Sequence, residues 1–99
     1  MRVREWRGRR VVFGPAMLPR ILVIKDEPAI ADAVLDALMT EGFAPERCAT
    51  GRAGLAALKA AERVRRAIAL VVLDVGLPDG TGFGVCRAIR KTSTVPVIF

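Results

Sequence analysis

The sequence predicts an α/β fold, a doubly wound parallel sheet with helices on both faces, from three observations. Short apolar runs, Ile21-Leu22-Val23-Ile24, Ala69-Leu70-Val71-Val72-Leu73 and Val95-Pro96-Val97-Ile98-Phe99, alternate with longer stretches of helical period. Two of these runs end on carboxylates, one at Asp74 directly and one at Asp26 after Lys25. The segment after Asp74, Val75-Gly76-Leu77-Pro78-Asp79-Gly80-Thr81-Gly82, carries the Gly and Pro that turn a strand toward a helix.

Each element follows in order. Ile21–Ile24 is too short for a helix, rich in β-branched residues and bounded by charge, which favours a strand buried on both faces. Pro28 fits the first position of a helix, with Glu27 beside its positive end. Ile30, Ala31, Val34, Leu35, Leu38 and Met39 repeat at helical spacing until Gly42 stops them. Phe43–Ala49 reads as a second strand, and Pro45, lacking a ladder donor, places it at an edge. Thr50-Gly51 lead into a helix with Leu55 and Leu58 that ends near Arg65-Arg66. The third strand ends at Asp74. Thr81 caps a third helix, whose Phe83, Cys86 and Ile89 fall three apart, and Ser93-Thr94 break it before a fourth strand over 95–99.

The alternation β-α-β-α-β-α-β with right-handed crossovers and an edge second strand gives the order 2-1-3-4. That order reverses direction between the first and third strands, so Asp26 and Asp74 flank the topological switch point, where open α/β sheets place their chemistry. Two converging strand-end carboxylates make a hard oxygen site for Mg²⁺, and one of them can act as a nucleophile toward phosphorus.

Composition sets outer limits. Ninety-nine residues with a 53% hydrophobic fraction suit one small domain. The net charge of +6 is uneven: residues 1–20 hold six Arg against Glu5, whereas residues 21–99 hold ten Lys/Arg against nine acids. The basicity therefore belongs to an arm, residues 1–19, that shows no helical or strand period and reaches Gly14-Pro15; it is read as disordered or as lying upstream of a start at Met17. Arg9-Arg10 do not make an export signal, because only Val11-Val12-Phe13 follow before Gly-Pro. The arm has no readout motif, and no nucleic-acid binding by the domain is expected. Cys48 and Cys86 have no metal spacing, the chain has no His, and both thiols are expected reduced and buried or half-buried. No stretch reaches the length of a membrane span, and a cytoplasmic location is expected.

At these residues the sequence resembles the receiver domain of a bacterial two-component response regulator, of flavodoxin-like fold. The resemblance runs from about Pro19 to Phe99, through Ile21-Leu22-Val23-Ile24-Lys25-Asp26-Glu27-Pro28, Glu41-Gly42-Phe43 and Leu73-Asp74-Val75-Gly76-Leu77-Pro78-Asp79-Gly80-Thr81-Gly82-Phe83. Its wording is most like regulators that couple the receiver to a winged-helix DNA-binding domain and act in transcription. The resemblance implies that Asp74 accepts a phosphoryl group from the phosphohistidine of a sensor histidine kinase. It implies that Asp26 binds Mg²⁺ directly and that the Gly76 backbone carbonyl is a third ligand beside Asp74. The metal is needed because an incoming phosphate must approach negative oxygens.

The chain departs from the family in two places. Position 25, where an acid usually holds the metal through water, is Lys25. An ammonium about 6 Å from a divalent ion, at an effective dielectric of about 20, is worth about 3 kcal/mol per unit charge. Mg²⁺ binding is therefore expected to be weakened, and the Lys25 ammonium could fold over Asp26 and Asp74 as an internal counter-ion. The domain is also read as truncated after its fourth strand, so that the Ser/Thr and Lys that sense the phosphoryl group in the family fall outside the chain. The 95–99 strand then becomes an uncovered apolar edge and the first helix loses a neighbour on its face, which favours homodimerisation through that strand or through helix faces.

Three functions compete. The first is a phospho-acceptor module, impaired by Lys25 and truncation. The second is a receiver-like interaction module or relic fragment that no longer accepts phosphate. The third is a hydrolase built on Asp79-Gly80-Thr81, which echoes the nucleophile loop of haloacid-dehalogenase-type phosphatases; Leu77 occupies the nucleophile's place there, so the chain is read as not an enzyme.

Overall fold

A computed structural model describes residues 18–99 in full, and residues 2–6 and 9–13 as strands. The first strand of the domain, β3 (Arg20–Ile24), is followed by α1 (Pro28–Thr40), β4 (Ala44–Cys48), α2 (Gly51–Arg63) and β5 (Ile68–Leu73). Then come β6 (Gly76–Leu77), β7 (Gly80–Thr81), α3 (Gly82–Arg90) and β8 (Val97–Ile98). The main sheet is parallel in the order β4-β3-β5-β8, the predicted 2-1-3-4. Pro45 lies in β4, at the predicted edge.

Local chemistry sets the helix boundaries. Pro28 opens α1, and Gly42 closes it at φ 88. There the Phe43 N–H donates to the Leu38 carbonyl and the Gly42 N–H to the Met39 carbonyl, both at 3.0 Å. Thr50 and Thr81 cap α2 and α3, their hydroxyl oxygens accepting from the Ala53 and Gly84 N–H groups at 3.1 Å. The C-terminus of α2 makes the same two-bond motif as α1, with Arg66 N–H to the Ala61 carbonyl and Arg65 N–H to the Glu62 carbonyl. Here, however, the left-handed residue at φ 56 is Arg65 and not Gly.

The core lies between the sheet and the α2/α3 layer. Leu22, Ile24, Val71 and Leu73 from the strands cluster with Leu58, Ala61, Val85 and Ile89 from the helices. Helix α3 departs from the expected line of threes. Gly82, Val85 and Ile89 are its buried residues, Cys86 is half-buried and Phe83 is 54% exposed. Each step of three falls about 60° short of a full turn, so Val85 and Ile89, four apart, hold the sheet while Phe83 rotates off it. The Phe83 ring instead lies 5.1 Å from that of Phe99.

Two further readings are corrected. Residues 2–6 and 9–13 form an antiparallel pair, β1 (Arg2–Trp6) and β2 (Arg9–Phe13), with Val3 opposite Val12 and Glu5 opposite Arg10. The reading of an arm without strand period overlooked the β-prone Val11-Val12-Phe13 and a two-residue spacer ending in Gly8. Gly14-Pro15 and Met17 lie outside the described residues. The fourth strand of the domain is two residues long, not five, although the Val71 N–H already donates to the Pro96 carbonyl at 2.9 Å. It is an edge strand of the sheet, and Ile98 and Phe99 are half exposed.

Candidate functional site

Strands β3 and β5 are paired in parallel with Ile24 opposite Leu73, and the Asp74 N–H donates to the Ile24 carbonyl at 2.9 Å. Asp74 therefore leaves β5 at the level where Lys25 leaves β3, and Asp26 follows one residue on. Paired strands stand about 4.8 Å apart, so both acids occupy the same crest of the sheet, at its switch point. Asp74 is half-buried, whereas Asp26 is exposed.

The chain beyond Asp74 is not an open turn. Gly76–Leu77 and Gly80–Thr81 pair antiparallel as β6 and β7, with Pro78-Asp79 at the tip and Gly80 at φ 154. Gly82 then returns against the start of the loop, its N–H donating to the Val75 carbonyl at 2.7 Å. A side chain at residue 82 would collide with the Asp74 carbonyl oxygen, and this close approach is what requires glycine. The position of Asp74 is thus set from both sides, by the β3 ladder and by the first residue of α3.

Asp79 has a role the sequence did not reveal. Its Oδ1 accepts from the Gly51 N–H and its Oδ2 from the Arg52 N–H, each at 2.9 Å. Those two bonds hold the carboxyl below the ordinary aspartate range. With Thr50 accepting from Ala53 through its hydroxyl and from Gly54 through its carbonyl, all four amides at the start of α2 are satisfied. Both Asp79 oxygens are therefore committed to a helix end rather than to substrate. An open groove of about 580 Å³, with Gly51, Arg52, Leu55, Asp79 and Val85 among its walls, runs between α2 and α3 beside this contact.

A second contact holds the other side of the site. Arg47 in β4 donates from Nε to the Lys25 carbonyl at 3.1 Å and from Nη2 to the Asp26 carbonyl at 3.0 Å. Among the described residues, no ion pair joins Lys25 to Asp26 or Asp74, so the internal counter-ion considered from the sequence is not formed. Cys48 and Cys86 are free and half-buried; burial first, and Glu46 second, push the Cys48 thiol up.

The available donors are two carboxylates and backbone carbonyls, all oxygen. Among the described residues no three His, Cys, Asp or Glu side chains group closely enough to cage an ion. That set fits Mg²⁺, which takes one or two carboxylates and keeps several waters.

The model of the response regulator receiver domain family matches residues 21–99. The chain belongs to that family. Regulatory protein VanRc of Enterococcus gallinarum is 40% identical to this receiver over 82 residues, 83% of the chain and 33% of that protein. Among solved structures, the chemotaxis protein CheY4 of Vibrio cholerae is 29% identical with a TM-score of 0.69, over 81% of this chain and 65% of that one. The response regulator TrrA of Thermotoga maritima, solved in complex with Mg²⁺ and BeF, is 30% identical with a TM-score of 0.65, over 77% of this chain and 62% of that one. The receiver spans about a third of the length of the curated relatives it matches. Among its described residues, no helix is long and apolar enough to cross a membrane.

Proposed function

We propose that this receiver is a phospho-acceptor module of a two-component phosphorelay in the cytoplasm, with Asp74 as the acceptor and a sensor histidine kinase as the donor. The observation that carries it is the half-buried Asp74 at the switch point, held between the β3 ladder and Gly82 with Asp26 on the neighbouring strand end. The Asp26 and Asp74 carboxylates and the Gly76 carbonyl would hold Mg²⁺, which when bound shields the charge of the incoming phosphoryl group. An Asp74 oxygen forms the new O–P bond while the N–P bond of the phosphohistidine breaks and the imidazole takes up a proton. The module turns over no substrate of its own, and Asp79, engaged by α2, is no nucleophile. Its output is transcriptional, through a winged-helix domain of the kind the sequence wording resembles; the receiver itself contacts no nucleic acid and no membrane.

Lys25 favours a second reading, an interaction module with weak or absent phosphorylation. Lys25 occupies the sequence position at which the family usually has an acid that holds the metal through water. Lys25→Glu is expected to tighten Mg²⁺ by about tenfold or more, after discounting the Coulomb term for solvent screening. The half-exposed Ile98, Phe99 and Phe83 at the β8 edge support self-association as the partner interaction of either reading. Incubation with phosphoramidate and Mg²⁺, followed by intact-mass measurement, tests the first reading. One phosphate, labile to base and to hydroxylamine, is expected, absent in Asp74→Ala. No addition at saturating Mg²⁺ favours the interaction module, and an addition that survives Asp74→Ala overturns the assignment of the acceptor.

A further inference from the structure

We infer that Arg47 is a positioning residue for Asp26, fixing from the neighbouring edge strand the backbone direction in which its side chain departs. The inference rests on the reading of Asp26 as a metal-binding acid.

The turn between β3 and α1 lacks the usual device that would define it. Glu27 is the N-cap of α1, yet its side chain makes no capping bond. Nor does any hydrogen bond among the described residues hold the exposed Asp26 carboxylate. Only the backbone can direct it. The Lys25 N–H donates to the Cys48 carbonyl at 3.1 Å, extending the β3–β4 ladder by one bond beyond Ile24. Arg47, one residue earlier on β4, then reaches the next two carbonyls, those of Lys25 and Asp26.

Those two carbonyls belong to the peptide planes on either side of the Asp26 Cα. Peptide units are rigid, so fixing both planes fixes φ and ψ at Asp26 and with them its Cα–Cβ direction. The planar guanidinium presents its donors in a fixed fork, which suits two successive carbonyls; an ammonium is a compact point charge without that geometry. The bonds span 22 and 21 residues, and no local rule of turn chemistry would supply them.

Positioning and charge predict opposite signs, which makes the inference testable. If Arg47 positions Asp26, both Arg47→Ala and Arg47→Lys weaken Mg²⁺ binding by about tenfold or more, the usual cost of removing an outer-shell partner. In the metal-free protein the same variants speed amide hydrogen exchange at Lys25, whose N–H is held by the Cys48 carbonyl beside Arg47, while leaving β5 unchanged. If Arg47 acts only as a nearby cation, Arg47→Ala tightens Mg²⁺ and Arg47→Lys leaves it unchanged; that result overturns the inference, as does unchanged affinity with unchanged exchange in both variants. Arg47→Lys guards against misreading a misfolded Ala variant. Asp26→Asn in the same titration separates the two claims: if it leaves Mg²⁺ affinity unaltered, the metal-site reading fails, and exchange at the Lys25 amide alone decides the role of Arg47.

Discussion

The two faces of the central sheet are built from the same strands and covered differently. On one face α2 and α3 close over Leu22, Ile24, Val71 and Leu73, each fully buried. On the other, α1 is the one helix among the described residues that lies against the sheet, over β3 and β4. Ala31 is its buried residue, Val34, Leu35 and Leu38 are half-buried, and Ile30 and Met39 are more than half exposed. The helix ends repeat the contrast, for α2 has every N-terminal amide satisfied while α1 has a cap residue without a capping bond. The difference teaches that α1 has the amphipathic period of a core helix but not the neighbours that would use it. On the α1 face Ile21 and Val23 of β3 are buried, but Leu70 and Val72 of β5 remain half-buried, so the thinner cover lies over β5.

The same truncation placed on each face tests this most strongly. Leu22→Ala, at a fully buried position, is expected to cost about 3 kcal/mol in chemical denaturation, within the range for core leucines. Leu70→Ala, on the α1 face and half-buried, should cost about half as much. Equal losses would contradict the asymmetry.

A smaller change should act in the opposite direction. Arg65 holds a left-handed conformation at the C-terminus of α2, where glycine is free of strain. Arg65→Gly is expected to stabilise by about 1 kcal/mol, measured by the same denaturation. The smallest effect is expected of Asp79→Asn, which retains one acceptor oxygen. Because the folded-state pKa of Asp79 is depressed, its contribution is fully present above the ordinary aspartate value of about 3.9 and is lost as pH falls through the lower folded value. The melting temperature of the variant should therefore lie below that of the unmodified protein at neutral pH and converge with it in acid; a gap that persists in acid would show that charge is not the cause.

Legibility followed the range of each signal. The three strands β3, β4 and β5, the Pro45 edge, the Thr50 and Thr81 caps and the Gly42 stop rest on local chemistry readable from neighbouring residues, and the 2-1-3-4 order follows from them with right-handed crossovers. The placement of Asp26 and Asp74 on one crest followed from topology alone. Asp79 and Arg47 were not readable as contacts, because their partners lie 28, 27, 22 and 21 residues away and no period connects them. The β6–β7 pair was read as a turn because two-residue strands carry no period of their own. Arg65 was hidden for another reason: it occupies a position whose usual marker is glycine.

The central claim is that Asp74 itself carries the phosphoryl group, and covalent trapping tests it most directly. After phosphorylation by phosphoramidate with Mg²⁺, borohydride reduction of an acyl phosphate on this side chain converts residue 74 to homoserine, which peptide mass spectrometry locates. Homoserine at position 74 and at no other acid is the expected result; reduction at Asp26 or Asp79, or at none of the acids in a protein whose mass shows bound phosphate, would contradict it.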